Sequence, residues 1–343
     1  MQRRPAAMVC CGRCAGPEAT ARIARRQRFR AAVFPGQGTG LSGAGTTARF
    51  RTLIGTLLDI SPQVLVVAED RNGREPGAPD TDEHRLALTA SASIWRGAPA
   101  EPTQLRPGER VVIRLAAGRK DVADKVWAGI GRVAGTITAW DSDRLTVDEG
   151  TTRRYQTVLI SGRAANRIRV RFPRLEPGNL IDVIGLRRGG VLEALMPATS
   201  QPADLASTGT GGATVRKTTA ATFSGSATWH EPAGPGEEPR GVAYPAIDPA
   251  AGCAEAAPAA PSAANLPYLA VGSMLSVRNE CTGAATVLCV TSCGAVARLF
   301  HDRCLTCGTS PRGRVADLTI ASFVELGGEL ERACFNATIT VPS

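Results

Sequence analysis

A single carboxylate, Asp317, stands where a short apolar strand hands over to a helix, in Gly313-Arg-Val-Ala-Asp-Leu-Thr319. Thr319 is a good helix N-cap. Ile320, Phe323 and Val324 follow at i, i+3 and i+4 spacing, and Gly327-Gly328 stop the turn. An acid at a strand end sits at the lip of whatever groove the sheet forms. There it can act as a general acid or base or hydrogen-bond a ligand hydroxyl. The following helix dipole favours an ionised carboxylate, which suits hydrogen bonding or capping better than proton donation. The second chemical signal is thiol. Cys253, Cys281, Cys289, Cys293, Cys304, Cys307 and Cys334 crowd the final third, and no cysteine occurs between residues 15 and 252. Such density in a small domain reads as a disulfide framework formed in an oxidising compartment. Cys253, Cys281, Cys293, Cys304, Cys307 and Cys334 are the disulfide candidates. Cys289 alternates with apolar neighbours inside a strand and is the candidate buried thiol. Cys289-x3-Cys293 with Cys304-x2-Cys307 approximates a four-thiolate zinc site, but its intervening loop is short for one. No metal and no cofactor are expected.

The elements that must position these groups are strands. Aromatics are 4% of the chain, while Gly (37) and Pro (23) are abundant, a composition suited to short strands and many turns. Four segments occur in order: Gly225-Ser-Ala-Thr-Trp229, Leu266-Pro-Tyr-Leu-Ala-Val-Gly-Ser-Met-Leu-Ser-Val-Arg-Asn279, Val287-Leu-Cys-Val-Thr-Ser-Cys-Gly294 and Asp317-Leu-Thr319. Together they resemble the double-psi β-barrel family of rare-lipoprotein-A-like proteins, expansins and barwin-like domains, over roughly residues 218–343. The resemblance implies a six-stranded double-psi barrel with a glycan-binding groove. It places Thr228, Trp229 and Asp317 in that groove and Tyr268 in the core or at the rim. Asp317 would be the catalytic residue if the protein cleaved glycan. Two features of lytic members are missing. The Asp-x-Gly acid is replaced by Ser292-Cys293-Gly294, and Ala263-Ala-Asn265 stands where a histidine precedes Leu-Pro. His230 and His301 lie elsewhere in the pattern. The expected activity is therefore binding of peptidoglycan or another wall polysaccharide without hydrolysis, as in expansin-like proteins. A peptidoglycan lytic transglycosylase is the enzymatic alternative, and a structural or protein-docking module the third reading.

Upstream, residues 50–200 contain a duplication. Gly55-Thr-Leu-Leu-Asp-Ile-Ser-Pro-Gln-Val-Leu-Val-Val67 matches Gly135-Thr-Ile-Thr-Ala-Trp-Asp-Ser-Asp-Arg-Leu-Thr-Val147, His84–Thr89 matches Tyr155–Ile160, and Leu105–Ile113 matches Leu175–Val183. Alternating apolar residues and Pro-Gly turns predict two small OB-like β-barrels, 49–125 and 126–196, joined by a Pro/Gly/Ser/Thr linker (197–217) to the third barrel, 218–343. Residues 231–265 read as a long loop anchored by Cys253. No chemistry is evident in the repeats. His84 is expected on a solvent-facing strand position, and Trp95, Trp127 and Trp140 in cores or as barrel lids. Arg167, Arg169 and Arg171 alternate as on a solvated strand face.

The net charge of +9 is unevenly placed. Residues 1–34 hold eight arginines and one acid, Glu18, which is +7 and leaves 9 − 7 = +2 for the rest. Residues 1–48 read as a basic, Gly-rich, disordered leader. Arg25-Arg26 resembles a twin-arginine signal, but the short Ala31–Phe34 run that follows is ended by Pro35 and Gly36. The cysteine pattern nonetheless points to an extracellular or cell-wall-associated protein. No apolar run is long enough for a transmembrane helix, and no specific nucleic-acid partner is expected.

Overall fold

A computed structural model describes residues 50–70, 82–150, 155–198, 221–231, 240–247, 266–294 and 296–341. The expected leader 1–48, nearly all of the linker 197–217 and Cys253 lie outside these residues. The described chain is all-β, with three closed barrels.

The first barrel is built from β1 (Arg51–Ile60), β2 (Val64–Glu69), β3 (Glu83–Trp95), β4 (Pro99–Ala100), β5 (Arg110–Leu115) and β6 (Val122–Ala128). Its sheet runs β2-β1-β5-β6-β3 and closes through a β2–β3 pairing, with β4 added at the end of β3. The second barrel uses β7 (Ile130–Asp141), β8 (Arg144–Asp148), β9 (Gln156–Ile160), β10 (Leu180–Arg188) and β11 (Val191–Pro197), in the ring β10-β11-β9-β8-β7. Each copy pairs its strands identically, including one parallel contact, β3–β6 in the first and β9–β11 in the second. The duplication in the sequence is thus a duplication of topology, and both copies are OB-like.

The match extends to single residues. A bulge interrupts β1–β2 between Leu57 and Asp59, and β7–β8 between Ile137 and Ala139. The glycine two residues before each bulge allows strand crossing. A Cβ on Gly55 would stand 2.0 Å from the Ala68 carbonyl oxygen, and one on Gly135 2.1 Å from that of Asp148. Bulges and glycines of this kind tighten the twist that closing a five-stranded barrel requires.

The copies differ in the connection before the fourth main strand. The first crosses by β4 and a short 3-10 turn at Pro102–Gln104. The second crosses by a helix, α1 (Gly162–Arg169), capped by the Ser161 hydroxyl and buried through Ala164 and Ile168. This corrects the strand reading of Arg167, Arg169 and Arg171. Their alternation imitates a period of two, but the apolar pair four residues apart decides the local structure.

The third barrel contains β12 (Ala221–His230), β13 (Val242–Tyr244), β14 (Met274–Asn279), β15 (Ala285–Cys293), β16 (Arg314–Thr319) and β17 (Cys334–Val341). They close in the order β12-β16-β13-β15-β14-β17. Two parallel pairs, β12–β16 and β13–β15, are set side by side by the antiparallel β13–β16 contact. The segment expected to be a loop, 231–265, therefore supplies a barrel strand. Three residues are too few to show a period, but Val242, Ala243 and Tyr244 are all buried.

Thr319 caps α2 (Ile320–Glu325), accepting from the Ser322 amide. The spacing predicted one buried face, yet every residue of α2 is buried. The first barrel covers the other side, and Thr52 donates to the Ala321 carbonyl at 3.5 Å. One apolar cluster runs through all three barrels. It joins Trp95, Val112 and Trp127 of the first and Ile130 and Ile184 of the second to Trp229, Leu318, Phe323 and Phe335 of the third. A separate core fills the second barrel and takes Val296 and Phe300 from the third. Within the third barrel, disulfides join Cys281 to Cys307 and Cys304 to Cys334, with Cα separations of 5.4 and 5.9 Å. Each closes a loop of about 30 residues or fewer, worth about 3–4 kcal/mol of stability. Cys293 is disulfide-bonded as well. Cys289 remains a thiol, half-buried on β15. With Cys304 and Cys307 both oxidised, the four-thiolate zinc alternative lacks its ligands.

Candidate functional site

Parallel pairing of β12 with β16 sets Thr228 opposite Asp317 and His230 opposite Thr319. Thr228 donates its hydroxyl proton to Asp317 Oδ1 at 2.9 Å. His230, two residues along the same strand, lies with Nδ1 3.4 Å from Asp317 Oδ2. The structure therefore joins Thr228 and Asp317, which the sequence pattern singled out, and adds His230, which it set aside. The signal for His230 was its i+2 spacing from Thr228, which puts both side chains on one strand face.

Trp229 points the other way, into the shared core. It is 0% exposed, and its indole donates to the Leu330 carbonyl at 2.9 Å. Tyr268 is half-buried beside Arg298. Among the described residues no hydrogen bond or ion pair links it to Asp317.

Asp317 does not face open water, since the residue retains 8% of its exposure. Its cover is Arg132, from β7 of the second barrel. The Arg132 Nη1 lies 3.6 Å from Asp317 Oδ1 and also donates to the Trp229 carbonyl. Its guanidinium carbon stands 5.9 Å from the centre of the Trp229 ring. This one side chain touches the acid and the indole that the resemblance assigned to a glycan groove.

Arg132 is itself held firmly. Nε and Nη2 form a fork onto Asp182 of β10, at 2.8 and 2.7 Å. Asp182 also accepts from Arg314 of β16, which in turn faces Asp302 at 3.2 Å. The Arg314 guanidinium carbon lies 3.8 Å from the centre of the Phe300 ring, which itself packs into the core of the second barrel, so the pair of barrels interlocks through both charge and packing. Burial works to lower the Arg132 pKa, but Asp182, with Asp317 and Asp302 behind it, outweighs burial and raises it. Burial likewise pushes Asp182 up, and the two arginines overcome this and hold it below the ordinary aspartate value. The network is two guanidiniums among three carboxylates, all nine-tenths or more buried.

Glu231 closes the edge of the seam. It accepts from the Arg132 backbone amide at 2.8 Å and from Arg187 Nε at 3.0 Å. Gly131 makes the approach possible, since a Cβ there would fall 2.8 Å from Glu231 Oε1 and 2.7 Å from Arg187 Cγ. On the far side of α2, the first barrel reaches the third by a different route. Arg114 and Lys125 pair with Glu329, and the Trp127 indole donates to Glu331 at 2.6 Å.

Neither a scan of protein-family models nor a search of curated proteins returns a match to this chain. An opposite charge within about 4–6 Å favours the ionised form of a carboxyl, whereas a general acid must carry its proton to the leaving group. With Arg132 on one side and the Thr228 hydroxyl donating to it, Asp317 is arranged as an acceptor. A second carboxyl at the separation of about 5–9.5 Å used in glycoside hydrolysis would have to share the same cleft. Asp182 and Asp302 are instead both committed to arginines.

Proposed function

We propose that this chain is a cell-wall-associated, non-hydrolytic protein of the double-psi-barrel type, which engages wall polysaccharide without cleaving it. Three observations support the double-psi assignment: the closed six-stranded barrel, its two adjacent parallel pairs, and the Thr228–Asp317 pair on adjacent strand ends. The disulfides suit an oxidising, extracellular setting. The observation that carries the non-hydrolytic part is the engagement of Asp317 by Arg132 and Thr228.

Arg132 favours a second reading, in which the acid site is a joint between barrels and the third barrel is a docking module. Glycan can reach Asp317 only if the second barrel moves off it. The two readings separate in one experiment. Full-length protein is incubated with insoluble peptidoglycan and with cellulose, and both retained protein and soluble muropeptides are measured. The binding reading expects retention without released muropeptides, reduced by Asp317→Asn and raised by Arg132→Ala or the milder Glu231→Gln. Retention that ignores all three substitutions supports the joint. Muropeptide release abolished by Asp317→Asn would overturn the non-hydrolytic assignment.

A further inference from the structure

The segment 161–175 carries five arginines (163, 167, 169, 171 and 174) and no acid. It comprises α1 and the turn after it, at one end of the second barrel. Ala164, Ile168, Phe172 and Leu175 anchor it to the barrel core. Four of the arginines are exposed and Arg171 is half-buried. Elsewhere, described arginines that lack a salt bridge, such as Arg51, Arg85, Arg144 and Arg278, are spread over different strands, and many others are paired. Nine arginines outside the segment (96, 110, 114, 119, 132, 187, 188, 240 and 314) each lie within salt-bridge distance of an acid. Among the described residues no salt bridge is made by any of the five. The nearest acids along the chain are Glu149 and Glu176, and among the described residues neither forms a salt bridge with any of the five. The helix rise spreads Arg163 to Arg169 over about 9 Å, and the turn of the helix sets Arg163 and Arg167 on one flank of the buried Ala164–Ile168 face and Arg169 on the other, so the charge is a band along and around the helix and not a point.

One side chain fixes part of this band. Trp140, still 36% exposed, lies beneath Arg169, whose guanidinium carbon is 5.9 Å from its ring centre. The indole donates to the Ser142 carbonyl at 2.7 Å, which sets its plane. Arg169 is thus oriented by a ring and not neutralised by a carboxylate. The matching connection in the first barrel has no helix and no such band, so the ridge belongs to the second copy alone.

We propose that the α1 ridge binds a linear phosphodiester polymer of the cell envelope. A group of cationic side chains attracts phosphate through charge-assisted N–H donors and releases condensed counterions on binding. An envelope polymer is favoured over nucleic acid because the same chain carries disulfides, which persist outside the reducing cytosol. The choice of polymer rests on the envelope setting proposed above. The ridge itself does not, because it is distinct from the Asp317 seam.

The test compares full-length protein with the variant Arg163→Gln/Arg167→Gln/Arg169→Gln/Arg174→Gln, using soluble glycerol-phosphate polymer as the probe. A single-stranded oligonucleotide of equal charge serves as comparator. Titrations run from 50 to 200 mM salt. Both proteins keep the basic leader, so its contribution cancels. The expected result is that the variant loses at least tenfold in affinity at 50 mM salt and that its log–log salt slope falls by about 3. The fourfold Arg→Lys version should retain binding, and all variants should keep the parent thermal midpoint. Trp140→Ala should cost less than threefold, because a polyol phosphate offers nothing to stack. Equal binding by parent and glutamine variant, or no binding by the parent at 50 mM salt, would overturn the proposal. So would an oligonucleotide preference of tenfold or more, or a Trp140→Ala loss above tenfold, since base stacking on an aromatic is the mark of single-stranded nucleic acid. Soluble polymer keeps this result separate from retention on insoluble glycan, which tests the seam.

Discussion

The two OB-like copies dock on the third barrel through equivalent positions but with opposite chemistry. The duplicated register aligns Thr52 with Arg132, Val112 with Asp182, and Arg114 with Ile184; β1 pairs Thr52 with Arg114 as β7 pairs Arg132 with Ile184. In the first copy the middle position is apolar, Val112 in the shared core, and charge sits at the margin, where Arg114 and Lys125 meet Glu329. In the second copy the margin position is apolar, Ile184, and the charge is buried, with Asp182 between Arg132 and Arg314. One barrel surface can therefore support an apolar joint or an ionic one. The cost of error differs: a buried charge that loses its partner is far more expensive than a partly exposed one.

This contrast is most easily broken at Asp182. Asp182→Ala leaves Arg132 and Arg314 facing each other across a buried seam, and a loss of about 3–5 kcal/mol is expected. Chemical denaturation monitored by tryptophan fluorescence would measure it, and a loss under 1 kcal/mol would show that the ionic joint admits water. The next effect tests whether the copies are equivalent within their own barrels. Gly55→Ala and Gly135→Ala each push a methyl group into a carbonyl oxygen across the sheet. Each should cost about 1–3 kcal/mol, and to a similar extent. A large difference between them would mean that the third barrel, and not barrel closure, sets the demand for glycine.

The smallest effect sharpens the marginal joint. Burial pushes Glu329 up, but hydrogen bonds and charge from Lys125 and Arg114 outweigh it and hold the carboxyl below its ordinary 4.5. Its contribution is therefore complete above about pH 4.5 and is lost as pH falls through the lower folded-state value. Glu329→Gln should cost about 1 kcal/mol at pH 7 and flatten the decline of the thermal midpoint between pH 4.5 and 3. An unchanged acid limb would assign that decline to Asp182, which is held low in the same direction.

Much of the architecture was legible because it is local or repeated. Alternating apolar residues, Pro-Gly turns and the Gly55/Gly135 match gave two barrels with one topology. The Thr319 cap and the glycines at 327–328 bounded α2. Cysteine density marked Cys281, Cys304, Cys307 and Cys334 as disulfide-forming, although their pairing was not readable. Trp95 and Trp127 are core residues as expected, at 5% and 0% exposure, while Trp140 stays partly open. The failures also have local causes. Arg167, Arg169 and Arg171 imitate a strand period across the end of an eight-residue helix and the turn after it. His84, expected to face solvent, is half-buried and lies 2.9 Å from Glu69 on the neighbouring strand. Val242–Tyr244 is too short to carry a pattern.

The sequence by itself determined that this is a β protein of repeated small barrels and that its third barrel is stapled by cysteines, while the meeting of Thr228 and Asp317 was implied only by the family resemblance. The first two facts follow from side-chain period, turn chemistry and cysteine density, each encoded within a few residues or by repetition. Only the tertiary structure decided that Asp317 lies beneath Arg132, 185 positions earlier in the chain, and that α2 is buried on every side. Such contacts depend on how three closed surfaces fit together. No local propensity records that fit, because a strand looks the same whether its outer face meets water or another barrel.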